Sequence, residues 1–210
     1  MRTRIKICGI TRLEDALAAV EQGADAIGFI QWRSSPRFIE PVAAAAIARS
    51  LPPLVTPVAV FVNPSREQVN AALEAIPAAT LQFHGEEEPR FCQGFGRPWI
   101  KAAGVKPGRD LVKYFAEFNT ASAWLVDEFH EKLYGGTGSR FDWNLVPRNP
   151  ARPLILSGGL GEDNVDEAIQ AVRPYAVDVS SSVESAKGIK DAALIAAFIS
   201  EVRRADQRSS

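Results

Sequence analysis

Cysteine and histidine are scarce in this sequence, with two residues of each in a chain of 210. The two cysteines, Cys8 and Cys92, form no CxxC pair, so the chain has neither a disulfide framework nor the ligand spacing of a zinc site. We therefore expect reduced thiols, no bound metal and a cytoplasmic protein, with Cys92 buried on a helix.

An excess of either charge is also missing, because 24 basic residues stand against 25 acidic ones and the formal net charge is -1. The protein thus has no long-range field to attract nucleic acid or an anionic membrane. No apolar run approaches the ~18 residues of a membrane span, and the N-terminus lacks a secretory h-region. We expect a soluble protein without nucleic-acid or membrane partners, in which a local site holds any anionic ligand.

Short apolar runs alternate with helical periodicity along the whole chain, which is typical of repeated βα units and a parallel sheet. The candidate strands are RIKIC, AIGFI, VAVFV, ATLQF, WIKA, WLVD, LILS and AVDVS. Eight units in one pass predict an α/β fold, a single closed (β/α)8 TIM barrel over residues 1–204, because an open sheet of that size would leave more polar edge strands. The polar tail, residues 205–210, is expected to fray.

Two helix starts carry the spacing of a capping box, Thr11 with Glu14 and Ser65 with Gln68. Gly23 is placed to end the first of these helices. After the sixth strand, EFHEKLYGGTGSRFDWNLV predicts a short or irregular element, whose glycine-rich part is expected to close over substrate.

The strand ends are polar or carry a thiol all around the predicted barrel. Active sites of this fold lie at the C-terminal ends of the strands. A single polar strand end is ordinary, because the chain must leave the core there, but a complete ring with an acid, a base and a thiol indicates a reactive site. The eight residues are Cys8, Gln31, Asn63, His84, Lys101, Asp127, Ser157 and Ser180.

Two loops have the composition of a phosphate site. LSGGLGEDNV, after the seventh strand, contains Gly158 and Gly159 ahead of a helix, and DVSSSVES, after the eighth, contains Ser180 and Ser181. Loops at these two places commonly bind phosphate in TIM barrels through backbone N–H groups and a helix N-terminus. Such a site needs no net positive charge.

The loop after the second strand contains two arginines, Arg33 and Arg37. Arg33 is predicted to be a solvated surface residue. Arg37 follows a proline and is a candidate planar clamp for a carboxylate.

The motifs KICGIT, GFI…SPR, VAVFVN, LQFHG, IKA, LVD, LYGGTG…FDW, SGGL…NV and DVSSSVE…GIKD together resemble the phosphoribosylanthranilate isomerase family of tryptophan biosynthesis. The resemblance covers almost the whole chain. It implies an enzyme that converts N-(5-phosphoribosyl)anthranilate into 1-(2-carboxyphenylamino)-1-deoxyribulose 5-phosphate by an Amadori rearrangement, with no metal or organic cofactor. The sequence does not distinguish a monomer from a homodimer.

The resemblance also implies roles for individual residues. Cys8 becomes the general base and Asp127 the general acid, Arg37 contacts the anthranilate end, and the glycine and serine loops hold phosphate. For Gln82 and His84 two roles stay open, contact with substrate and orientation of the fourth strand.

A cysteine acts as a base only as thiolate, and we expect the N–H groups of Gly9 and Ile10 to lower the pKa of Cys8. Burial against Phe129 and Trp143 is expected to favour the protonated form of the catalytic carboxyl group.

Three residues depart from the family pattern, which has an aromatic residue at Gln31, alanine at Ser157 and glycine at Ser182. The first two are expected to alter the pocket. If the backbone at Ser182 has positive φ, its side chain strains the phosphate loop by ~1 kcal/mol.

Two other readings of the sequence remain open. Other sugar-phosphate isomerases, epimerases and lyases use the same phosphate loops with different catalytic groups. A barrel without catalytic activity would bind a phosphorylated metabolite and leave it unchanged.

Overall fold

A closed barrel of eight parallel strands in chain order forms the centre of the molecule. The computed structural model describes residues 2–106, 108–128 and 141–208. The strands are β1 (Arg4–Cys8), β2 (Ala26–Ile30), β3 (Thr56–Phe61), β4 (Thr80–Phe83), β5 (Trp99–Val105), β6 (Ala123–Glu128), β7 (Leu154–Leu156) and β8 (Ala176–Val179). β8 pairs with β1 and closes the ring, with Lys6 opposite Asp178. The predicted (β/α)8 barrel is confirmed.

Helices connect most of the strands on the outside of the barrel. They are α1 (Leu13–Gln22), α2 (Pro41–Ala48), α3 (Arg66–Ala75), α4 (Pro89–Cys92), α5 (Leu111–Ala116), α6 (Val165–Val172) and α7 (Ala192–Arg208), and a hairpin of β9 (Glu184–Ala186) and β10 (Ile189–Lys190) precedes α7. Between β6 and β7 the described residues hold only a 3-10 turn, Trp143–Leu145, as predicted. The glycine-rich cover falls largely on residues 129–140, which lie outside the described residues. None of the helices described has the length and apolar character needed to cross a bilayer.

Strand alternation divides the buried side chains into two layers. Small and branched residues such as Val60 and Leu125 fill the barrel interior. Large aromatic residues lie between the strands and the helices, where Phe83 stacks on Phe61 with ring centroids 6.0 Å apart and meets Phe91 edge-on. Burying one such ring stabilises the fold by roughly 1.5–3 kcal/mol, and truncating Phe83 to alanine would cost about 3–5 kcal/mol. The bulky layer therefore stabilises the barrel from the outside, while smaller apolar side chains pack inside it.

One of the two predicted capping boxes is confirmed and the other is wrong. Ser65 and Gln68 form the predicted capping box at the start of α3. Thr11 does not cap α1, whose N-cap is Arg12, because its hydroxyl instead donates to the carbonyl of Gly188 at 2.5 Å. Gly23 ends α1 with φ of 101°, a left-handed conformation that suits glycine.

The prediction that residues 205–210 fray is wrong as far as Arg208, because α7 continues to that residue. Ala205 is buried in the core, and Asp206 accepts hydrogen bonds from the N–H of Thr3, at 2.9 and 3.1 Å, and from its hydroxyl at 2.7 Å. These contacts tie the last helix to the start of β1. Residues 209 and 210 lie outside the described residues.

Candidate active site

A cavity of about 390 Å³ opens at the C-terminal ends of the barrel strands. A larger cavity, about 590 Å³, lies at the opposite ends of the strands and is lined mainly by arginine, proline and apolar side chains. The candidate chemistry lies in the smaller one, because a thiol, an imidazole and two carboxyl groups meet there. Its polar and thiol side chains from the strands and strand ends are Cys8, Gln82, His84, Asp127, Ser157, Asp178 and Ser180.

Three of the eight strand-end residues do not line this cavity, which corrects the expectation of a complete ring. The Gln31 amide donates to the carbonyl of Ile39 at 3.0 Å, so it does not alter the pocket as expected. Asn63, with φ of 45°, accepts from the N–H of Glu86. Lys101 lies in the middle of β5 and faces the helix layer, where its ammonium contacts the Phe118 ring.

Cys8 ends β1 with its side chain toward the cavity, and the residue is 6% exposed. The N–H groups of Gly9 and Ile10 both donate to the carbonyl of Gly28, at 2.9 and 3.0 Å. They are therefore not free to stabilise a thiolate, and that expectation is wrong. Burial raises the pKa of the Cys8 thiol, and the positive charge of Lys6 opposes this rise only in part.

Asp127 is held from two sides. His84 Nε2 lies 3.2 Å from Oδ2 of Asp127, and the N–H of Glu128 donates to Oδ1 at 2.8 Å. On the far side of the imidazole, Gln82 Nε2 lies 3.2 Å from Nδ1 of His84. With the Gln82 amide donating to Nδ1, the hydrogen of a neutral ring is on Nε2 and points at Asp127. Gln82 and His84 thus orient the carboxyl group as well as line the cavity.

The structure does not support the expected burial of Asp127 against two aromatic residues. Phe129 lies outside the described residues. Trp143 packs against the hydrophobic layer outside the barrel. Asp127 is nevertheless 3% exposed at the end of β6.

The loop after β7 passes directly over Asp127. Gly158 and Gly159 have φ of 86° and 63°, which suit glycine, and a Cβ on Gly158 would lie 2.5 Å from the nitrogen of Glu128. Buried Asn164 fixes the turn, because its amide donates to the Gly159 carbonyl at 2.8 Å and its oxygen accepts from an N–H of the same loop. The loop before α6 is therefore rigid and close to the carboxyl group.

The loop after β8 meets both Cys8 and the β7 loop. The Ser180 hydroxyl donates to the carbonyl of Cys8 at 3.1 Å. The Ser182 hydroxyl donates to the carbonyl of Leu160, which joins the two predicted phosphate loops. Ser182 is not among the described residues with positive φ, so the expected backbone strain is absent. Ser180 and Ser157 line the cavity, whereas Ser181 and the two glycines flank it in the same loops.

Arg37 lines the cavity and already clamps a carboxylate, that of Glu184 on β9, with Nε–Oε1 at 2.7 Å. The Lys190 ammonium also donates to Glu184 at 2.8 Å and to the carbonyl of Ser180 at 2.9 Å. Burial opposes the ionisation of Glu184, but hydrogen bonds from Arg37 and Lys190 and their charges outweigh it and lower its pKa. Arg33, by contrast, forms an exposed pair with Glu40, as predicted for a surface residue.

Sequence reasoning missed four charged residues around Cys8, namely Lys6, Asp178, Glu184 and Lys190. A signal existed for the first two, because each is a charged residue inside a predicted strand and lies two positions before a predicted site residue, hence on the same face. Nothing local marks the other two. Cys92 is buried on α4 as predicted, and burial raises its pKa to about 12. Across the described ranges, no group of three or more His, Cys, Asp or Glu is arranged to hold a metal ion.

Comparison with known proteins agrees with the geometry of the site. The family model for N-(5'-phosphoribosyl)anthranilate (PRA) isomerase matches residues 5–201. The N-(5'-phosphoribosyl)anthranilate isomerase of Pseudomonas putida (strain GB-1) is 55% identical over 202 residues, covering 96% of this chain and 98% of the relative. The crystal structure of the Thermotoga maritima phosphoribosyl anthranilate isomerase is 41% identical with a TM-score of 0.88, covering 96% and 99% of the two chains.

A further crystal structure is a phosphoribosyl anthranilate isomerase in complex with reduced 1-(o-carboxyphenylamino)-1-deoxyribulose 5-phosphate. It is 41% identical with a TM-score of 0.86, covering 96% of this chain and 99% of that one. The family-model match, over residues 5–201, includes residues of all eight strands, both loops after β7 and β8, and the residues Cys8 and Asp127. The chain belongs to the N-(5'-phosphoribosyl)anthranilate isomerase family.

Proposed function

We propose that this protein isomerises N-(5'-phosphoribosyl)anthranilate to 1-(2-carboxyphenylamino)-1-deoxyribulose 5-phosphate, with Asp127 as general acid and Cys8 as general base. One observation supports these roles above the others. The two groups line a single cavity from β6 and β1, and the strands between them around the barrel, β7 and β8, carry the glycine and serine loops. An anchored phosphate would therefore lie between the acid and the base.

The first step is opening of the furanose ring. Asp127 delivers a proton to the ring oxygen as the C1′–O bond breaks, and the nitrogen lone pair forms the C1′=N bond of an iminium. His84 holds the carboxyl group through Oδ2, and the backbone of Glu128 holds it through Oδ1. The acid is thus oriented before substrate binds, which reduces the entropic cost of the step.

The second step is removal of the proton at C2′. The Cys8 thiolate takes this proton, and the electron pair of the C–H bond forms C1′=C2′ while the iminium nitrogen becomes neutral. The resulting enaminol tautomerises to the 2-keto product. Two proton transfers, at O4′ and at C2′, require an acid and a base at different points along one carbon chain, and two separated strands meet that requirement.

Binding is divided between the ends of the substrate. The backbone N–H groups of Gly159 and Ser181 donate to no acceptor among the described residues. Together with Gly158 and Ser180, they are candidates to donate hydrogen bonds to the phosphate. Arg37 is the candidate for the anthranilate carboxylate, through the guanidinium hydrogens that Glu184 does not use. Gln82 and His84 contribute to the floor of the same cavity.

The experiment is incubation of the purified protein with N-(5'-phosphoribosyl)anthranilate while the anthranilate fluorescence is followed. We expect a first-order loss of fluorescence at a rate proportional to protein concentration. The 2-keto product is an isomer of the substrate with the same mass, so it is identified by chromatographic separation from the substrate. Binding without any loss of fluorescence would instead indicate a barrel that only holds a phosphorylated metabolite. Turnover of a different sugar phosphate with none of this substrate would indicate one of the other barrel isomerases.

We also infer a cytoplasmic location and assembly as a monomer or homodimer. Two buried free cysteines support the location, because such thiols suit a reducing compartment. Light scattering coupled to size-exclusion chromatography distinguishes one chain of 22.8 kDa from two.

A further inference from the structure

A buried ion pair fills the barrel interior next to Cys8. Lys6 Nζ lies 2.8 Å from Asp178 Oδ1, and the two side chains are 4% and 6% exposed. They are directly opposite each other in the β1–β8 register. Lys6 and Cys8 are two positions apart on β1, so both side chains point into the barrel.

Gly28 allows the aliphatic part of the Lys6 side chain to lie beside the Cys8 thiol. It is the register partner of Cys8 on β2, and a Cβ placed on it would lie 2.8 Å from the Cys8 sulfur and 3.2 Å from Lys6 Cε. Both side chains therefore rest against the same stretch of bare backbone. The glycine gives the lysine room to lie beside the sulfur.

A thiolate at this place needs a compensating charge, because the surrounding interior is largely apolar, with Val60 and Ile100 among its members. Burial raises the pKa of Cys8, and Lys6 is the largest opposing influence. Lys190, the other cation facing Cys8, is shared with Glu184 and the Ser180 carbonyl.

The charged groups around this position come from four strands and from His84, the residue after β4. Lys6 on β1, Asp178 on β8 and Lys190 on β10 act on the Cys8 sulfur, and Asp127 on β6 and His84 act on Asp178. Arg37 acts on Lys190 but is paired with Glu184. Among these groups, Lys6 alone is a cation on the same strand face as the thiol, and its ion-pair partner is Asp178.

We propose that Lys6 is a positioning residue that stabilises the thiolate of Cys8, and that Asp178 keeps Lys6 charged and in place. This inference rests on the proposed role of Cys8 as base. When the thiolate accepts the C2′ proton, an S–H bond forms, the C–H pair moves into C1′=C2′, and the sulfur becomes neutral. After the transfer, the Asp178 carboxylate is the only negative partner of the Lys6 ammonium. The ammonium is therefore paired both before and after proton transfer.

The test compares Lys6→Met and the double variant Lys6→Met with Asp178→Asn against the unmodified protein. The measurement is the rate of Cys8 alkylation by iodoacetamide as a function of pH, read by mass spectrometry. We expect the alkylation midpoint of Cys8 to rise by about one pH unit or more in Lys6→Met. At pH values below that midpoint, kcat/KM should then fall about tenfold. The double variant leaves no unpaired buried carboxylate and should fold even if the single variant does not; its midpoint should also rise, because Lys6 acts on the sulfur more strongly than Asp178.

Lys101→Met is the matched control. Lys101 is equally buried and pairs with Glu87 at 2.6 Å, but it faces the helix layer. Its loss should reduce thermal stability and leave the Cys8 midpoint unchanged. An unchanged midpoint in the Lys6 variants would overturn the inference. Because alkylation reports the thiol directly, this outcome is distinct from failure of the catalytic role, which Cys8→Ser tests by turnover.

Discussion

Glu184 accepts two parallel hydrogen bonds from Arg37, from Nε at 2.7 Å and from Nη2 at 2.8 Å. The pair uses one edge of the guanidinium and leaves Nη1 and one Nη2 hydrogen for a ligand. Since Arg37 lines the cavity, Glu184 holds it in the orientation from which we expect it to bind the substrate carboxylate.

Glu184→Gln should therefore raise KM about tenfold, equivalent to ~1.4 kcal/mol of binding, with a smaller effect on kcat. The amide keeps the shape of the side chain but loses the bidentate charged pair, so Arg37 is held less firmly. Steady-state kinetics measure the effect. Arg33→Gln, in the exposed pair with Glu40, is the control and should change neither constant. A lower kcat with unchanged KM would contradict a role in orienting Arg37.

The same carboxylate should make the protein sensitive to acid. The folded-state pKa of Glu184 lies below its ordinary value, so its stabilising contribution is complete above the unfolded pKa, about 4.3, and is lost as pH falls through the lower folded value. At neutral pH, Glu184→Gln should lower the free energy of unfolding by roughly 3 kcal/mol, because two buried cations lose their partner. Denaturant titrations at several pH values should show this difference shrinking below about pH 4; a difference independent of pH would contradict the assignment.

Cys8→Ala and Asp127→Asn should each lower kcat by ~10²-fold or more while the fold and product binding persist, as expected for general acid–base groups. Turnover and product affinity are measured on the same preparations. Cys92→Ala is the control thiol variant, since Cys92 is buried on α4 and does not line the cavity. Near-normal kcat in either site variant would remove that residue from the mechanism.

The pH dependence of kcat/KM follows from the buried state of Cys8. Because the pKa of its thiol is raised, the thiolate is scarce at neutral pH and increases as pH rises. We expect kcat/KM to rise with pH through a midpoint at or above ~8.5, the ordinary value for cysteine. This reverses the expectation from sequence, which placed the midpoint below that value. Iodoacetamide should modify Cys8 with the same midpoint and leave Cys92, with a pKa of about 12, almost unreacted. A midpoint well below 8.5 would show that the free thiol is more acidic than its burial implies.

Ser182→Ala should raise KM severalfold and lower stability by about 1 kcal/mol, because its hydroxyl joins the loops after β7 and β8 through the carbonyl of Leu160. Ser182→Gly should behave in the same way, since no positive φ at this residue gives glycine an advantage. Ser185→Ala, at an exposed position on β9, is the control. If Ser182→Gly bound substrate more tightly than the unmodified protein, backbone strain would after all be the dominant effect.

The barrel, its strand order and the loops beside the cavity could be predicted from the sequence because they depend on local periodicity and on the order of elements. The ends of the strands and the direction of single side chains were predicted less accurately. The apolar run WIKA suggested that β5 ends near Lys101, but the strand continues to Val105. Lys101 faces the helices because its neighbours Ile100 and Ala102 face the barrel interior. The two-residue spacing that places Lys6 and Cys8 on one face of β1 is visible in RIKIC, but the spacing alone does not show whether that face is core or site.

The remaining errors concern partners distant in sequence. No local pattern reveals that the Gly28 carbonyl takes the N–H groups expected to serve the thiolate. Likewise, Arg37 meets Glu184 across 147 positions, so the sequence indicates a carboxylate clamp without revealing that Glu184 occupies it. Such pairings exist once the barrel has closed, and they decide the electrostatics of the site.

The bond between Thr3 and Asp206 has a consequence for how the chain can be connected. It spans 203 positions and holds the start of β1 against the end of α7, while β8 pairs with β1 to complete the ring. The barrel itself has no first strand, so a short peptide from residue 208 to residue 2 would make the chain cyclic without displacing any strand. Cutting the cyclic chain in an exposed connection such as residues 148–152 would yield a circular permutant with every strand between its original neighbours.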